Sequence, residues 1–112
     1  MTGEGGAGVD VLSFADAKRL AEVMQALASP VRLRILSVLR NRPSTVTELS
    51  VELGVGQTSV SNHLRLLRHL SFVTSRRHGR HVHYTMFDDH IEDLLDQAVG
   101  HLSHLPDHGR SR

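Results

Sequence analysis

A short helix, a glycine-containing turn and a second helix, followed at once by a β-prone hairpin, predict a winged helix-turn-helix fold. Apolar residues also recur at helical spacing along most of the 112-residue chain. We therefore expect a mainly α (α+β) fold with about five helices and one β-hairpin wing. A single domain is expected over residues 13–105.

The first two helices are predicted from capping residues and apolar spacing. Ser13 can cap a helix whose apolar positions span residues 14–27. Ser29 and Pro30 end that helix and begin the next, because proline is favoured in the first helical turn. A second apolar series then runs through residues 31–39.

The next two helices form the predicted helix-turn-helix. Thr47 precedes a short apolar helix that runs to Leu53, and Gly54 ends it. A second helix is expected to begin near Gln57 or Thr58. Its apolar positions recur at helical spacing, at Val60, Leu64, Leu67 and Leu70.

The predicted wing and last helix complete the domain. Residues 72–74 and 82–86 are β-prone, and Gly79 lies between them where a hairpin turn needs a positive φ. Residues 88–105 are expected to form one helix with a single apolar stripe, which Pro106 ends. Residues 1–12, which are rich in glycine, and residues 106–112 are predicted to be flexible tails.

Composition excludes several classes of protein. The chain has no cysteine, which excludes disulfide frameworks, thiolate metal sites and cysteine nucleophiles. It shows neither a signal peptide nor an apolar run near the ~20 residues that a membrane helix needs. It has no H-E-x-x-H, nucleophile or glycine-rich phosphate motif. We expect a cytoplasmic protein that does not contact a membrane and is not an enzyme.

Charge is strongly segregated although the net charge is only +1. No acidic residue occurs between Glu52 and Asp88, a stretch with five arginines. The second helix of the helix-turn-helix is expected to expose polar side chains that can pair with base edges or phosphates. These features predict a double-stranded DNA partner, although a solvated polar helix face is the alternative. The candidate DNA contacts are Gln57, Thr58, Ser59, Ser61, Asn62, His63, Arg65, Arg76, Arg77 and Arg80.

The runs ASPVRLRILSVLR, VTELSVELGVGQTSVSNHLRLLRHL and VTSRRHGRHVHYTMFDDH resemble the ArsR/SmtB family of metal-sensing repressors. The resemblance covers roughly residues 15–105. It implies a winged-helix homodimer that binds operator DNA and changes its DNA affinity on binding metal. It also implies that Gln57, Thr58 and Ser61 contact DNA, whereas Asn62 stands where many members have histidine. Within the family, the chain is most similar to the nickel-sensing branch.

The histidines of the last helix form a candidate metal site. His101 and His104 are three residues apart and share a helix face. His90 lies roughly 16 Å away along a helix and cannot join them within one chain. If two copies of the helix pack antiparallel, Asp88 and His90 of one chain meet His101 and His104 of the other, which gives two four-ligand sites per dimer. The spacing D-x-H-x10-H-x2-H matches the sensor site on the family's last helix. The alternative is a solvated histidine-rich helix edge with Asp88 as a helix cap.

The identity of the metal depends on the number of ligands. Four nitrogen and oxygen ligands in a tetrahedron suit zinc, whereas nickel and cobalt prefer more ligands. His108 or Asp107, together with water, could supply them. The resemblance makes nickel the expected metal, with cobalt and zinc as alternatives.

A rival function is a winged-helix regulator that senses a non-metal ligand or a partner protein and binds DNA independently of metal. A metal buffer would not need the basic segment. The sequence leaves open whether metal weakens or strengthens DNA binding, since it shows the ligands and not the two states.

Overall fold

The computed structural model describes residues 10–106. The helices are α1 (Phe14–Leu27), α2 (Pro30–Leu39), α3 (Val46–Leu53), α4 (Gln57–His69) and α5 (Asp89–His101). Between α4 and α5, strands β1 (Val73–His78) and β2 (His81–Met86) form an antiparallel hairpin. The predicted class of fold, five helices with one hairpin wing, is confirmed. Residues 1–9 and 107–112, with most of both predicted tails and His108, lie outside the described residues.

Side-chain caps determine where the first three helices begin. The hydroxyls of Ser13 and Ser29 each accept a hydrogen bond from the backbone N–H three residues later, at 3.1 and 3.2 Å. At α3, Thr45 and Glu48 form a capping box in which each side chain accepts from the other residue's backbone. The helix therefore begins before Thr47, earlier than the sequence pattern alone suggested.

Two glycines adopt the left-handed backbone that the sequence predicted. Gly54 has φ 66° and donates its N–H to the Ser50 carbonyl, which ends α3. Three residues later Gln57 begins α4, so the turn between the two helices is tight. Gly79, at the tip of the hairpin, has φ 63°.

The core lies where α2, α3, α4 and the hairpin meet. Fully buried aliphatic side chains come from each of these elements, among them Ile35, Leu36, Leu49, Val60, Leu64, Leu67 and Val73. Three of them belong to α4 and follow one another at helical spacing. The inner face of α4 is therefore held by the core, and its opposite face is exposed.

The first and last helices bury little within one chain. Only Ala26 of α1 and Leu95 of α5 are buried. Large apolar side chains remain exposed on both segments, including Phe14 at 85%, Val99 at 61% and Leu102 at 64%. Large exposed apolar side chains concentrated on two helices are typical of an interaction site.

The predicted single helix over residues 88–105 is wrong at its end. The α-helix ends at His101 and continues as a 3-10 turn, Leu102–His104. Leu105 has an extended backbone, because a residue before proline is sterically disfavoured from the helical conformation. Between residues 10 and 106, no helix has the length and apolar character needed to span a membrane.

Candidate functional site

The outer face of α4 carries most of the polar side chains predicted to contact DNA. Burial of Val60, Leu64 and Leu67 directs the intervening positions outward. Ser61 is half-buried, and the following predicted contacts are exposed: Gln57, Thr58, Ser59, Asn62 and Arg65. This face is free to enter a groove of DNA, as the second helix of a helix-turn-helix does.

His63 is an exception to the predicted exposure of this face. It is half-buried because Arg32 of α2 lies against it, with the Arg32 Nη1 atom 3.3 Å from His63 Nδ1. Arg32 also donates from Nε to the carbonyl of Ala26 at the end of α1, at 2.6 Å. Burial, and then the Arg32 charge, lower the pKa of His63 from its ordinary value. A neutral His63 can accept at Nδ1 and still donate from Nε2; its contact with DNA remains a prediction.

Sequence reasoning missed the contact between Arg32 and His63. The two residues are 31 positions apart and lie on different helices, α2 and α4. No local pattern identifies such a contact, because it depends on how α2 and α4 pack. The result is a polar connection from the end of α1 to the middle of α4.

Arg65 is oriented by a neighbour on its own helix. Its Nη1 donates to the side-chain oxygen of Asn62 at 2.9 Å. Residues three apart on a helix are neighbours, so the pair places an amide and a guanidinium side by side on the exposed face.

The wing presents positive charge on both faces and at its tip. Arg76 is opposite His83 in the strand register, and Arg77 is opposite Val82. Successive side chains of a strand point to opposite faces, so the two arginines project from different sides of the hairpin. Arg80 follows the turn, and all three arginines are exposed. Together with α4, the wing forms a basic surface over residues 57–80.

Asp88 caps α5 and contacts His90. The Asp88 backbone is extended, and Oδ1 accepts the backbone N–H of His90 at 3.0 Å. Its Oδ2 lies 3.3 Å from His90 Nδ1, a contact that is the main cause of the lowered pKa of Asp88. The two side chains are therefore close together at the start of α5, where His90 is 91% exposed.

His101 and His104 lie together at the other end of the helix. His101 is the last residue of α5 and His104 ends the 3-10 turn. Residues three apart are eclipsed in a 3-10 helix, and the two ring centroids are 6.1 Å apart. Both side chains are exposed. The change from α to 3-10 helix thus keeps the predicted pair on one side.

The two ligand pairs do not meet within one chain. Across residues 10–106, no three His, Asp or Glu side chains come together in a way that could hold a metal ion. The structure therefore divides the predicted ligands into Asp88 with His90 and His101 with His104, at opposite ends of α5.

An ion pair connects α5 to the rest of the domain. Arg40, at the end of α2, donates from Nε and Nη2 to the two carboxylate oxygens of Asp96, with the Nη2 contact at 2.6 Å. The pair raises the pKa of Arg40 and lowers that of Asp96, mainly through the hydrogen bond. Asp96 lies midway between the ligand pairs, so this contact, with buried Leu95, orients the helix that carries them.

A family model described as bacterial regulatory protein, arsR family, matches residues 29–75, from α2 into β1. The chain is 46% identical over 89 residues to the HTH-type transcriptional regulator NmtR of Mycobacterium tuberculosis, covering 80% of this chain and 74% of that protein. It is 38% identical over 93 residues to a transcriptional repressor SmtB homolog of Synechocystis, covering 83% and 70%.

Solved structures agree with these sequence matches. The solution structure of apo-NmtR superposes with a TM-score of 0.73 at 40% identity, covering 99% of this chain and 92% of that one. A homodimeric winged helix-turn-helix DNA-binding domain from Mycobacterium bovis superposes with a TM-score of 0.76 at 27% identity, covering 96% and 100%.

Proposed function

Since the chain belongs to the ArsR/SmtB family of bacterial transcriptional regulators, we propose that it is a homodimeric repressor whose affinity for operator DNA depends on a divalent metal. It is a DNA-binding regulator and not an enzyme. Its place of action under this proposal is the cytoplasm, where operator DNA is available.

The proposed DNA interface is the outer face of α4 together with the wing. The N-terminal part of α4 carries amide and hydroxyl groups suited to base edges, namely those of Gln57, Thr58, Ser61 and Asn62. The arginines of the wing are suited to phosphates and contribute affinity without sequence preference. The α4 set is held on a helix whose other face is buried in the core, whereas the wing arginines lie on the exposed part of the hairpin beyond the buried Val73.

The proposed dimer uses the apolar surface of α1 and α5. Phe14, Met24, Val99 and Leu102 are exposed in the single chain. Burying large apolar side chains yields about 1.5–3 kcal/mol each, which a domain of this size needs for stability. A second copy would supply the same surface in two-fold symmetry, and one relative of known structure is homodimeric.

The observation that carries the metal proposal is the separation of two ligand pairs at opposite ends of one helix. Asp88 and His90 would join His101 and His104 of a second copy when the two α5 helices run antiparallel. Each of these pairs already has its side chains adjacent, and both histidines of the second pair are exposed. Three imidazoles and one carboxylate form a nitrogen and oxygen donor set that fits a divalent transition metal.

Nickel is the proposed metal, with cobalt and zinc as the alternatives. The resemblance of the sequence to the nickel-sensing branch supports nickel, and further ligands from His108 or water would complete its preferred coordination. The bound ion would supply a cross-link between subunits. If His108→Ala leaves nickel affinity and the nickel spectrum unchanged, His108 is not a ligand.

The response to metal would be a coupling between two sites. A metal ion that joins two α5 helices restricts their relative orientation. The Arg40–Asp96 pair and Leu95 transmit this orientation to α2 and the core, and hence to α4. Coupling free energies of this kind are typically ~1–3 kcal/mol. The family's usual outcome, release of DNA on binding metal, is the expected direction.

The test is fluorescence anisotropy of an operator duplex at fixed salt, with and without nickel or zinc. We expect wild-type DNA affinity to change with metal and the His101→Ala/His104→Ala variant to bind DNA without that change. If neither nickel nor zinc changes the affinity of the wild type for DNA, metal sensing is contradicted. That result would favour the alternative, a winged-helix regulator that senses a non-metal ligand or a partner protein.

Asp88 has a capping role that must be separated from metal binding. Asparagine caps a helix about as well as aspartate but carries no charge. Asp88→Asn should therefore keep the unfolding temperature of the apo protein and weaken metal binding. Asp88→Ala should lower both the unfolding temperature and the affinity for metal. If Asp88→Asn binds metal as the wild type does, Asp88 is only a cap.

A further inference from the structure

A basic concavity lies between the second half of α4 and the wing. It has a volume of ≈ 660 Å³ and is lined by Ser61, Leu64, Arg65, Arg68, His69 and Tyr84. None of these residues is acidic, and no carboxylate occurs in the chain between Glu52 and Asp88. The concavity can therefore attract an anion from several sides at once.

The helical period brings the polar lining residues together. Arg65, Arg68 and His69 lie four, seven and eight positions after Ser61, so they follow one face of α4. Arg68 Nη1 is 3.4 Å from the Ser75 hydroxyl of β1, which draws the guanidinium towards the wing. In the hairpin register Ser75 is opposite Tyr84, the residue that lines the other wall.

The strand wall of the concavity is anchored to the body of the domain. Tyr84 exchanges two backbone hydrogen bonds with Ser44, a residue buried after α2, at 2.8 and 3.1 Å. The α4 wall is anchored by the core residues Leu64 and Leu67. Because the backbone of both walls is held by the fold, the residues that carry the donors are placed near one another before any ligand arrives, which lowers the entropic cost of binding.

The position along α4 indicates what enters the concavity. Arg68 is ten residues after Thr58, about 15 Å along the helix axis. A recognition helix lies in the major groove, and its N-terminal residues contact the bases. With the start of α4 at the base edges, Arg68 and His69 lie well past the base-contacting residues and beside the wing, so the phosphates that flank the groove are the groups they can contact.

We infer that the concavity between α4 and the wing binds a backbone phosphate of double-stranded DNA through Arg68, His69 and the Tyr84 hydroxyl. Guanidinium, imidazole and phenol groups all donate hydrogen bonds to phosphate oxygens. This inference rests on the proposed DNA-binding function and assigns to Arg68 and His69 a role in addition to the contacts predicted from sequence. A phosphate contact positions the protein on the duplex without reading its sequence.

The test is the salt dependence of binding to an operator duplex and to a random-sequence duplex. Each phosphate contact contributes about 0.9 to the slope of log affinity against log salt concentration. We expect Arg68→Ala to weaken binding to both duplexes by the same factor, about tenfold or more at low salt, and to reduce the slope by about 1.8, because each subunit of the dimer loses one contact. Arg68→Lys should retain the slope, because the charge remains.

A remote arginine provides the matched control. Arg19 is exposed on α1, a helix that packs mainly against α2. Arg19→Ala removes the same charge and should leave the salt slope within error of the wild type. Equal loss of slope in Arg19→Ala and Arg68→Ala would overturn the inference, since net charge alone would explain both. Circular dichroism and unfolding temperature confirm that each variant is folded.

The remaining outcomes separate this inference from the proposed function. If the wild type binds DNA and Arg68→Ala keeps the wild-type slope, the phosphate site is absent while the regulator function stands. If the wild type binds neither duplex, both proposals fail. If inorganic phosphate shifts the His69 NMR signals at sub-millimolar concentration and does not compete with DNA, the concavity holds a small anion, and DNA phosphate is not its ligand.

Discussion

Replacement of Arg32 by alanine would remove the polar connection from α1 to α4. Arg32 donates to the Ala26 carbonyl at 2.6 Å and lies 3.3 Å from His63 Nδ1. The Ala26 carbonyl is in the last turn of α1, where backbone acceptors have no partner within the helix. The variant therefore loses a helix-end contact and a contact to the proposed DNA-reading helix.

The expected loss of stability follows from these two contacts. A hydrogen bond from a charged donor contributes about 1.5–3 kcal/mol, and the longer contact to His63 contributes at the low end of ~0.5–1.5 kcal/mol. Arg32 is half-buried, so water replaces part of what is lost. We expect Arg32→Ala to lower the free energy of unfolding by about 2 kcal/mol. For a domain of this size that is a fall of roughly 10 °C in unfolding temperature.

The pH dependence has a definite sign. The pKa of His63 is lowered in the folded protein, first by burial and then by Arg32. A lowered pKa means that the folded state favours neutral His63. Its contribution to stability is therefore complete above the unfolded pKa of about 6.5 and is lost as the pH falls through the lowered value. In Arg32→Ala this loss should be smaller but not absent, because burial, the larger cause, remains.

Two measurements test this reasoning. Urea unfolding at several pH values, at one protein concentration, gives the stability of wild type, Arg32→Ala, His63→Ala and the double variant. NMR titration gives the pKa of His63, which we expect to rise in Arg32→Ala. An unchanged His63 pKa together with additive stability losses in the double variant would show that Arg32 and His63 do not interact, and would refute the proposed connection.

Three further predictions concern the backbone and α5. Gly54→Ala should cost about 1 kcal/mol in urea unfolding, because Gly54 has φ +66°, a backbone conformation that disfavours any side chain even though a Cβ there would meet open space. Gly56→Ala is the control: a Cβ there also meets open space, but φ is −59°, so the substitution should be neutral. Equal costs in the two variants would contradict a backbone origin. Ser71→Gly should raise the unfolding temperature, since Ser71 is a non-glycine residue at φ 63°; a lower temperature would mean that its side chain stabilises the fold. Asp96→Ala should lower the unfolding temperature at pH 7. The difference from wild type should disappear in acid, as the pH falls through the lowered pKa of Asp96. A difference that does not depend on pH would show that the ion pair with Arg40 does not cause the loss of stability.

Local patterns in the sequence were sufficient for the order and type of the elements. The periods of 3.6 and 2 residues, the serine caps, Pro30 and the two left-handed glycines predict the helices, the turn and the wing without reference to distant contacts. They succeed because caps, turns and periodicity act over a few residues. The end of α5 was misjudged because the apolar stripe continues past His101 while the backbone changes to a 3-10 turn before Pro106.

The sequence by itself determined which residues carry charge, amides and imidazoles, and at what spacing along a helix. Only the tertiary structure decided which of them meet. It brought Arg32 to His63, Arg40 to Asp96, and Arg68 to the wing. Each contact joins different elements, and its geometry depends on how the core packs. The separation of the two ligand pairs of α5, by contrast, needed no tertiary structure: a straight helix holds residues eleven positions apart roughly 16 Å from each other, which the spacing alone predicted.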